Sequence, residues 1–355
     1  MKHFKHFFKL IISIIILCAC YLGGVILYGT LTDYKPKEKI DLEIKGTGNV
    51  QSGLSDTLTF LSWNIGFCGL GAEMDFFYDG GEMVRPTKEL VEKYTTGVIE
   101  FLQKYNQTDF IILQEVDENS ARTRRQNEVE IISSAMQAYN YSYDDNYNVK
   151  FVPVPFTNPL GKVEAGQMNL SKVEPASSER VAFHSAYAWP KRLFMLDRCF
   201  IVSRFNTDNG KQLVLLNTHN SAYDSGGKLR TMEMPVIRDL MIEEFNKGNY
   251  VVAGGDWNQN PPDYDLEEVN KTYPAVTREK LDGTLFPSGW SIVYDQETPT
   301  NREIDTPLQK GKTTSTIIDY YIVSPNVEAL EIETINVDFQ YSDHQPVFLK
   351  IRLIN

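Results

Sequence analysis

The first apolar stretch, Leu10 to Leu31 (LIISIIILCACYLGGVILYGTL), holds 22 positions without a charge. As a helix it would span about 33 Å, enough to cross a bilayer. From Thr32 to about Leu54 the pattern turns polar, with Pro36, Lys35, Lys37, Glu38, Lys39 and several glycines, and reads as a stalk. Beyond it, short β-rich apolar runs alternate with helically spaced ones. Strands are predicted at Leu58 to Asn64, Asp109 to Val116, Arg198 to Arg204, Leu213 to Thr218, Tyr250 to Gly254, Ile317 to Val323 and Gln345 to Ile351. Helices are predicted at Lys88 to Lys104, Arg124 to Tyr139 and Lys228 to Asn246, and the segment from Pro153 to Pro190 reads as loop. No repeat or low-complexity tract interrupts residues 55–355, so one α/β domain is expected there.

Charge sharpens the reading of the leader. Lys2, Lys5 and Lys9 precede the apolar run, so the positive-inside tendency makes 1–9 a cytoplasmic basic tail, 10–31 a transmembrane anchor, 32–54 a linker and 55–355 an extracytoplasmic catalytic domain. The rival readings are a cleaved signal peptide, whose apolar region is usually about 7 to 15 residues, and a lipoprotein site at Leu17-Cys18-Ala19-Cys20. The chain after Cys20 stays apolar, which favours the uncleaved anchor. Overall the 35 basic and 47 acidic residues give −12, and setting aside the three leader lysines leaves −15 on the rest. An acidic body is a poor general ligand for phosphate backbones, so a nucleic-acid partner is left open but not favoured. Cys68 and Cys199, the two thiols beyond the leader, read as small buried hydrophobes rather than a disulfide framework.

The chemistry sits where strands end. Thr59-Phe-Leu-Ser-Trp-Asn64 stops at Asn, Phe110-Ile-Ile-Leu-Gln-Glu115 at Glu, Leu215-Leu-Asn-Thr-His219 at His, and Val251-Val-Ala-Gly-Gly-Asp256-Trp-Asn258 at Asp and Asn. In α/β sheets ligands gather where strand ends and their loops converge, so four such ends point to one polar pocket.

The ordered series Trp63-Asn64, Gln114-Glu115, Asn217-Thr218-His219, Gly255-Asp256-Trp257-Asn258, Asp319-Tyr320 and Ser342-Asp343-His344-Gln345-Pro346 resembles the endonuclease/exonuclease/phosphatase superfamily. The resemblance covers roughly residues 57–354. It implies a four-layered α/β sandwich, two packed and mostly antiparallel sheets flanked by helices, here preceded by the apolar helix. It also implies hydrolysis of a phosphoester with a divalent metal, Mg²⁺ or else Mn²⁺ or Ca²⁺. On that resemblance Glu115 is the leading metal ligand, with Asn64 and Asp343 beside it. Asp256 orients or deprotonates the attacking water, and Asn258 donates to the phosphate. His344 is an acid/base or phosphate-contacting group held by Asp319, and His219 meets a non-bridging phosphate oxygen. Which of Asp256 and His344 takes the proton stays open. The residue types suit the task independently, because an anionic phosphodiester needs a hard cation, hydrogen-bond donors and a base for water.

Four further residues are candidate substrate contacts: Arg192 and Arg198, as phosphate clamps; His184, outside the motifs; and Tyr78, in the glycine- and aromatic-rich stretch Gly66 to Gly81 that should overhang the pocket. The anchor and the acidity together favour a phospholipid headgroup or small phosphoester over duplex DNA. A nuclease is the closest rival and an inactive binding module the other alternative; a monomer is expected.

Overall fold

The computed structural model describes residues 2–48, 54–184, 187–224 and 226–354. Helices α1 (Lys2–Leu31), α2 (Lys88–Lys104), α3 (Glu128–Ala135), α4 (Lys228–Asn246) and α5 (Leu266–Asn270) accompany sixteen strands among the described residues. The strands are β1 (Lys39–Asp41), β2 (Lys45–Gly46), β3 (Thr57–Asn64), β4 (Phe110–Asp117), β5 (Asn140–Val152), β6 (Gly161–Ser171), β7 (Ser177–Ala182), β8 (Cys199–Asn206), β9 (Gln212–His219), β10 (Tyr250–Asp256), β11 (Ser291–Val293), β12 (Asn301–Arg302), β13 (Ser315–Thr316), β14 (Asp319–Val323), β15 (Val327–Thr334) and β16 (Val347–Leu353).

Two mixed seven-stranded sheets form, in the orders β1-β7-β8-β9-β10-β14-β11 and β15-β16-β3-β4-β6-β5-β2. Pairing is antiparallel except for β9 with β10 and β3 with β4. Between the sheets Phe60, Ile112 and Leu349 of one meet Leu215, Val252 and Tyr321 of the other. Outside them, α2 and α3 cover one sheet through Tyr94, Val98, Leu102 and Ile132, and α4 covers the second through Met234, Ile237 and Met241. The four expected layers are present, built by burying one face of each helix and both faces of each sheet.

The seven expected strands and the bounds of α2 and α4 match what forms. Thr87 caps α2, its hydroxyl accepting the Leu90 N–H at 3.3 Å, with Glu89 in the first turn and Lys104 in the last, charges that complement the helix dipole. The helix expected over Arg124 to Tyr139 is shorter. Arg124 and Arg125 take left-handed φ of 56° and 64°, and Asn127 then caps α3 by accepting the Glu130 N–H at 3.0 Å.

The loop expected from Pro153 to Pro190 is corrected: it contains β6 and β7. Its polar residues obscured the strand period because they pair with polar residues of other strands, β5 and β8, inside the sandwich. Ser178 Oγ lies 2.8 Å from Ser142 Oγ and 3.1 Å from Ser203 Oγ, Asn169 donates to Ser203 at 3.0 Å, and Arg180 meets Asp144 at 2.9 Å.

The polar linker also joins the sheets. Lys39–Asp41 pairs antiparallel with β7, and Lys45–Gly46 with β5; residues 49–53 of that linker lie outside the described residues. The N-terminal helix is long and apolar enough to cross a membrane, and no residue of its most apolar window is buried. It takes in the basic tail as well as the apolar run, since helix begins at Lys2. Cys68 and Cys199 are both free and buried, as small hydrophobes are.

Candidate active site

Strand register assembles the site. Parallel pairing sets Asp256 opposite His219, and antiparallel pairing sets it opposite Asp319, so three side chains stand abreast at one edge of a sheet. Gly255 permits this: its φ of +137° is closed to other residues, and a Cβ there would collide with the Thr218 carbonyl oxygen of β9. Gly255→Ala is expected to cost about 1–3 kcal/mol in denaturant unfolding. It should also lower any hydrolytic activity about a hundredfold by displacing Asp256.

The facing sheet contributes Asn64 and Glu115. Between Leu113 and Val116 the β4–β6 register shifts, and Glu115 takes φ 54°, turning its carboxylate into the cleft. The two sheets are tied together just behind, where Gln114 donates to Asn217 Oδ1 at 2.7 Å and Asn217 donates to Leu113 O at 3.0 Å. The segment Ser342 to His344 closes the ring, because Ser342 Oγ donates to Asn64 O at 2.8 Å and the Trp63 indole donates to His344 O at 3.0 Å.

The heads of these residues converge. Asn64 Nδ2 donates to Asp256 Oδ2 at 3.1 Å and to Glu115 Oε1 at 3.3 Å. His219 Nε2 lies 3.5 Å from Asp256 Oδ2 and 3.8 Å from Glu115 Oε1. His344 Nδ1 lies 2.8 Å from Asp319 Oδ2, and its Nε2 is 3.7 Å from Asp256 Oδ2 and 3.9 Å from Asp343 Oδ2. The Asn258 N–H donates to Asp256 Oδ1 at 2.9 Å, and its side chain to Asn220 O at 3.0 Å.

The two histidines hold opposite protonation preferences. Burial, reinforced by Arg198, lowers the His219 pKa well below the ordinary value, so this ring is neutral. Burial opposes charge on His344 too, but Asp319, Asp343 and Asp256 outweigh it and raise its pKa well above the ordinary value. The Asn301 amide, 3.0 Å from His344 Nε2, donates to the ring only when the ring is neutral. Burial, with Asp319 adding to it, pushes Asp256 up to about 6. Asp343 is raised by burial and by Glu115, although His344 offsets part of the shift.

Hard carboxylate oxygens crowded together fit a hard divalent cation. Asp256, Asp319 and His344 offer atoms within 4.8 Å of one another, but His344 and Asp319 already engage each other. Glu115 and Asp343 line the same cleft as Asp256 and His344 and take no part in that histidine–carboxylate pair. Asn64, expected beside Glu115 as a metal ligand, accepts the Gly66 N–H on its Oδ1 at 3.0 Å, and its nitrogen donates to both Asp256 and Glu115.

The cleft of about 440 Å³ is lined by Glu115, His219, Asp256, Asn258, Asp343 and His344, and by Tyr78 and Arg198. Arg198 is anchored to the His219 carbonyl at 3.2 Å. Two expected contacts stand elsewhere and are corrected. His184 is exposed, its Nε2 3.6 Å from Glu38, and Arg192 reaches Asp33 at 3.6 Å near the end of α1; each took a local ion pair instead of the cleft. Several lining residues carried no motif. Arg122, paired with Asp117 at 2.8 Å, stacks 3.6 Å from the Phe67 ring, and Tyr223 donates to Asp79 at 2.8 Å across the cleft. Arg302 holds the overhanging Gly66 to Gly81 stretch by donating to the carbonyls of Leu70, Gly71 and Met74 at 2.9–3.2 Å. The richness of that stretch in glycine and aromatic residues hinted at such a rim.

Residues 61–344 match the sequence model of the endonuclease/exonuclease/phosphatase family. No curated protein matches the chain in a sequence search. Solved structures share the fold. An endonuclease/exonuclease/phosphatase from Beutenbergia cavernae is 14% identical with TM-score 0.54, covering 84% of this chain and 72% of its own. D. rerio TDP2 complexed with a single strand DNA product is 15% identical with TM-score 0.53, covering 84% of this chain and 100% of its own. The human Nocturnin catalytic domain with bound sulfate is 14% identical with TM-score 0.53, covering 88% and 97%.

Proposed function

The chain belongs to the endonuclease/exonuclease/phosphatase family, and from that premise we propose that it is a membrane-anchored, divalent-metal-dependent phosphoesterase acting on a phospholipid headgroup or another small phosphoester. Family membership supports hydrolase activity of the phosphoesterase or nuclease type. The observation that carries the finer reading is one cleft that gathers Glu115 and Asp343 beside Asp256 and His344, with Asp319 holding the His344 ring.

Glu115 and Asp343 would hold Mg²⁺, Mn²⁺ or Ca²⁺, which when bound neutralises phosphoryl oxygens and stabilises the charge that develops on them. Asp256, with a pKa near 6, is mostly ionised at neutral pH and accepts a proton from the attacking water as its oxygen bonds to phosphorus. His344, held cationic by Asp319, donates hydrogen bonds to the phosphoryl group or a proton to the departing oxygen. Neutral His219 and the Asn258 amide donate to non-bridging oxygens, and Arg198 steadies the His219 backbone. The helix α1 would cross the membrane with Lys2, Lys5 and Lys9 on the cytoplasmic side and the linker from Thr32 leading to the catalytic domain.

The full chain in detergent is assayed with Mg²⁺ against sphingomyelin, phosphoinositides, a chromogenic diester, single-stranded and plasmid DNA, and RNA. Turnover of lipid or small diester that chelator removes and Mg²⁺ restores is expected. Hydrolysis confined to nucleic acid would replace the lipid reading with a nuclease, and no turnover of any substrate would leave a binding module.

A further inference from the structure

A guanidinium keeps its proton near neutrality, so one buried without a counter-charge carries a desolvation cost that an arriving anion offsets. Arg198, at the entry to β8, is such a group. It is 7% exposed and lines the cleft. Its guanidinium makes one hydrogen bond, to the His219 backbone carbonyl at 3.2 Å, and no ion pair with any described carboxylate. Asp197 precedes it in the chain but is engaged elsewhere. Burial raises the Asp197 carboxyl to about 6, and the charges acting on it are those of Asp33, Arg180 and Arg192.

Arg122, in the turn after β4, is 5% exposed and lines the same cleft. It lies 3.6 Å over the Phe67 ring and holds Asp117 through Nε at 3.2 Å and Nη2 at 2.8 Å, which leaves Nη1 without a hydrogen bond. Asn146 supplies a third donor. The register of β5 against β6 shifts between Asp145 and Tyr147, which sets Asn146 in the cleft wall, and its amide nitrogen is buried there without an acceptor.

The two guanidiniums share their neighbours. Burial leads in lowering the His219 pKa and in raising that of Tyr147, and the charges of both Arg198 and Arg122 act on each of these groups. At Asp256 and Asp343 the principal charges are instead those of His344, Asp319, Glu115 and Arg302. The arginines therefore stand on the His219–Tyr147 side of the cleft, beside the groups assigned to the scissile phosphoryl.

We propose that Arg198 and Arg122, with the Asn146 amide, form a second anion subsite that takes a phosphate carried by the substrate in addition to the ester that is cleaved. The subsite rests on the reading of the cleft as a phosphoesterase site. A phosphate has acceptor oxygens for both guanidinium edges at once, and it supplies the counter-charge that Arg198 lacks. A diester without a second acidic group leaves that charge uncompensated, so the subsite selects doubly phosphorylated headgroups or small phosphoesters.

Sulfate binding to the full chain in detergent, with chelator present, tests the subsite without any turnover. Under chelator no cation draws an anion to Glu115 and Asp343. At constant ionic strength, sulfate replacing chloride is expected to raise the thermal midpoint saturably in the native chain, and in neither Arg198→Gln nor Arg122→Lys. Arg122→Lys keeps a charge against Asp117 while losing the free edge, so a folding defect in one variant leaves the other to decide. With Mg²⁺, kcat/KM for phosphatidylglycerol phosphate should exceed that for phosphatidylglycerol about tenfold or more, read as released diacylglycerol or phosphatidate. The preference should shrink toward parity in both variants. Run alongside, the water-soluble deacylated headgroups tell a lipid source from a free phosphoester, and the same preference in either form supports the subsite. No sulfate effect in the native chain, an undiminished effect in both variants, or a substrate preference that both variants keep would overturn it. Sulfate binding lost in the variants of a chain that turns over neither diester would keep the anion subsite and overturn the phosphoesterase reading instead.

Discussion

Glu115→Gln is expected to reduce metal-dependent phosphoester hydrolysis about a thousandfold while the domain stays folded. The substitution keeps size and shape but removes the charge of a carboxylate turned into the cleft by the left-handed φ of 54°. Electrostatic stabilisation by a bound cation is worth several kcal/mol at the transition state, and about 4 kcal/mol is about a thousandfold in rate. Excess Mg²⁺ should not restore the rate. Stability should move the other way in chelator, because Glu115 is among the charges that burden buried Asp343. A thermal midpoint at or above that of the native chain is therefore expected, measured alongside kcat. Activity within tenfold of native would remove Glu115 from the metal site and weaken the phosphoesterase reading.

Asp319→Asn should lower kcat at least a hundredfold and shift the pH profile in a stated direction. The raised pKa of His344 keeps its charge through neutrality, to be lost only as pH rises through that value. Asp319 is the largest of the carboxylate contributions, so its removal lowers the pKa and moves the alkaline limb to lower pH. Asp319 also helps raise Asp256 to about 6, so the acid limb, where Asp256 becomes protonated, should move down as well. Both limbs shifting together distinguishes this electrostatic role from a merely structural one, which would lower the rate and leave the limbs in place. His344→Ala should abolish activity and remove the alkaline limb.

Legibility in the sequence followed burial. β3, β4, β9 and β10 run through the centres of the sheets, where both faces are covered and apolar residues run together until Asn64, Glu115, His219 and Asp256 end them. α2 announces itself by helical spacing between a Thr87 cap and a terminal Lys104. β6 and β7 were hidden for the converse reason: Asn169, Ser178 and Arg180 are strand residues whose partners come from other strands. Site residues were similarly divided. Those in the ordered motifs converge on the cleft, whereas Arg192 and His184 were drawn to acidic neighbours beside α1 and the linker. Arg122 and Asn301 had no local signal, because what brings them to the cleft is the pairing of distant segments.

The sequence by itself determined the apolar N-terminal helix, the central strands, the family and the chemical types gathered at the strand ends, all of which are set by local pattern and by residues written in order. Tertiary structure alone decided which groups touch and what charge they carry. Register across β9, β10 and β14 puts His219, Asp256 and Asp319 abreast. Burial, together with charges from segments far apart in the chain, then makes one histidine neutral and the other cationic. A pKa depends on desolvation and on distance to other charges, and neither exists until the chain is folded.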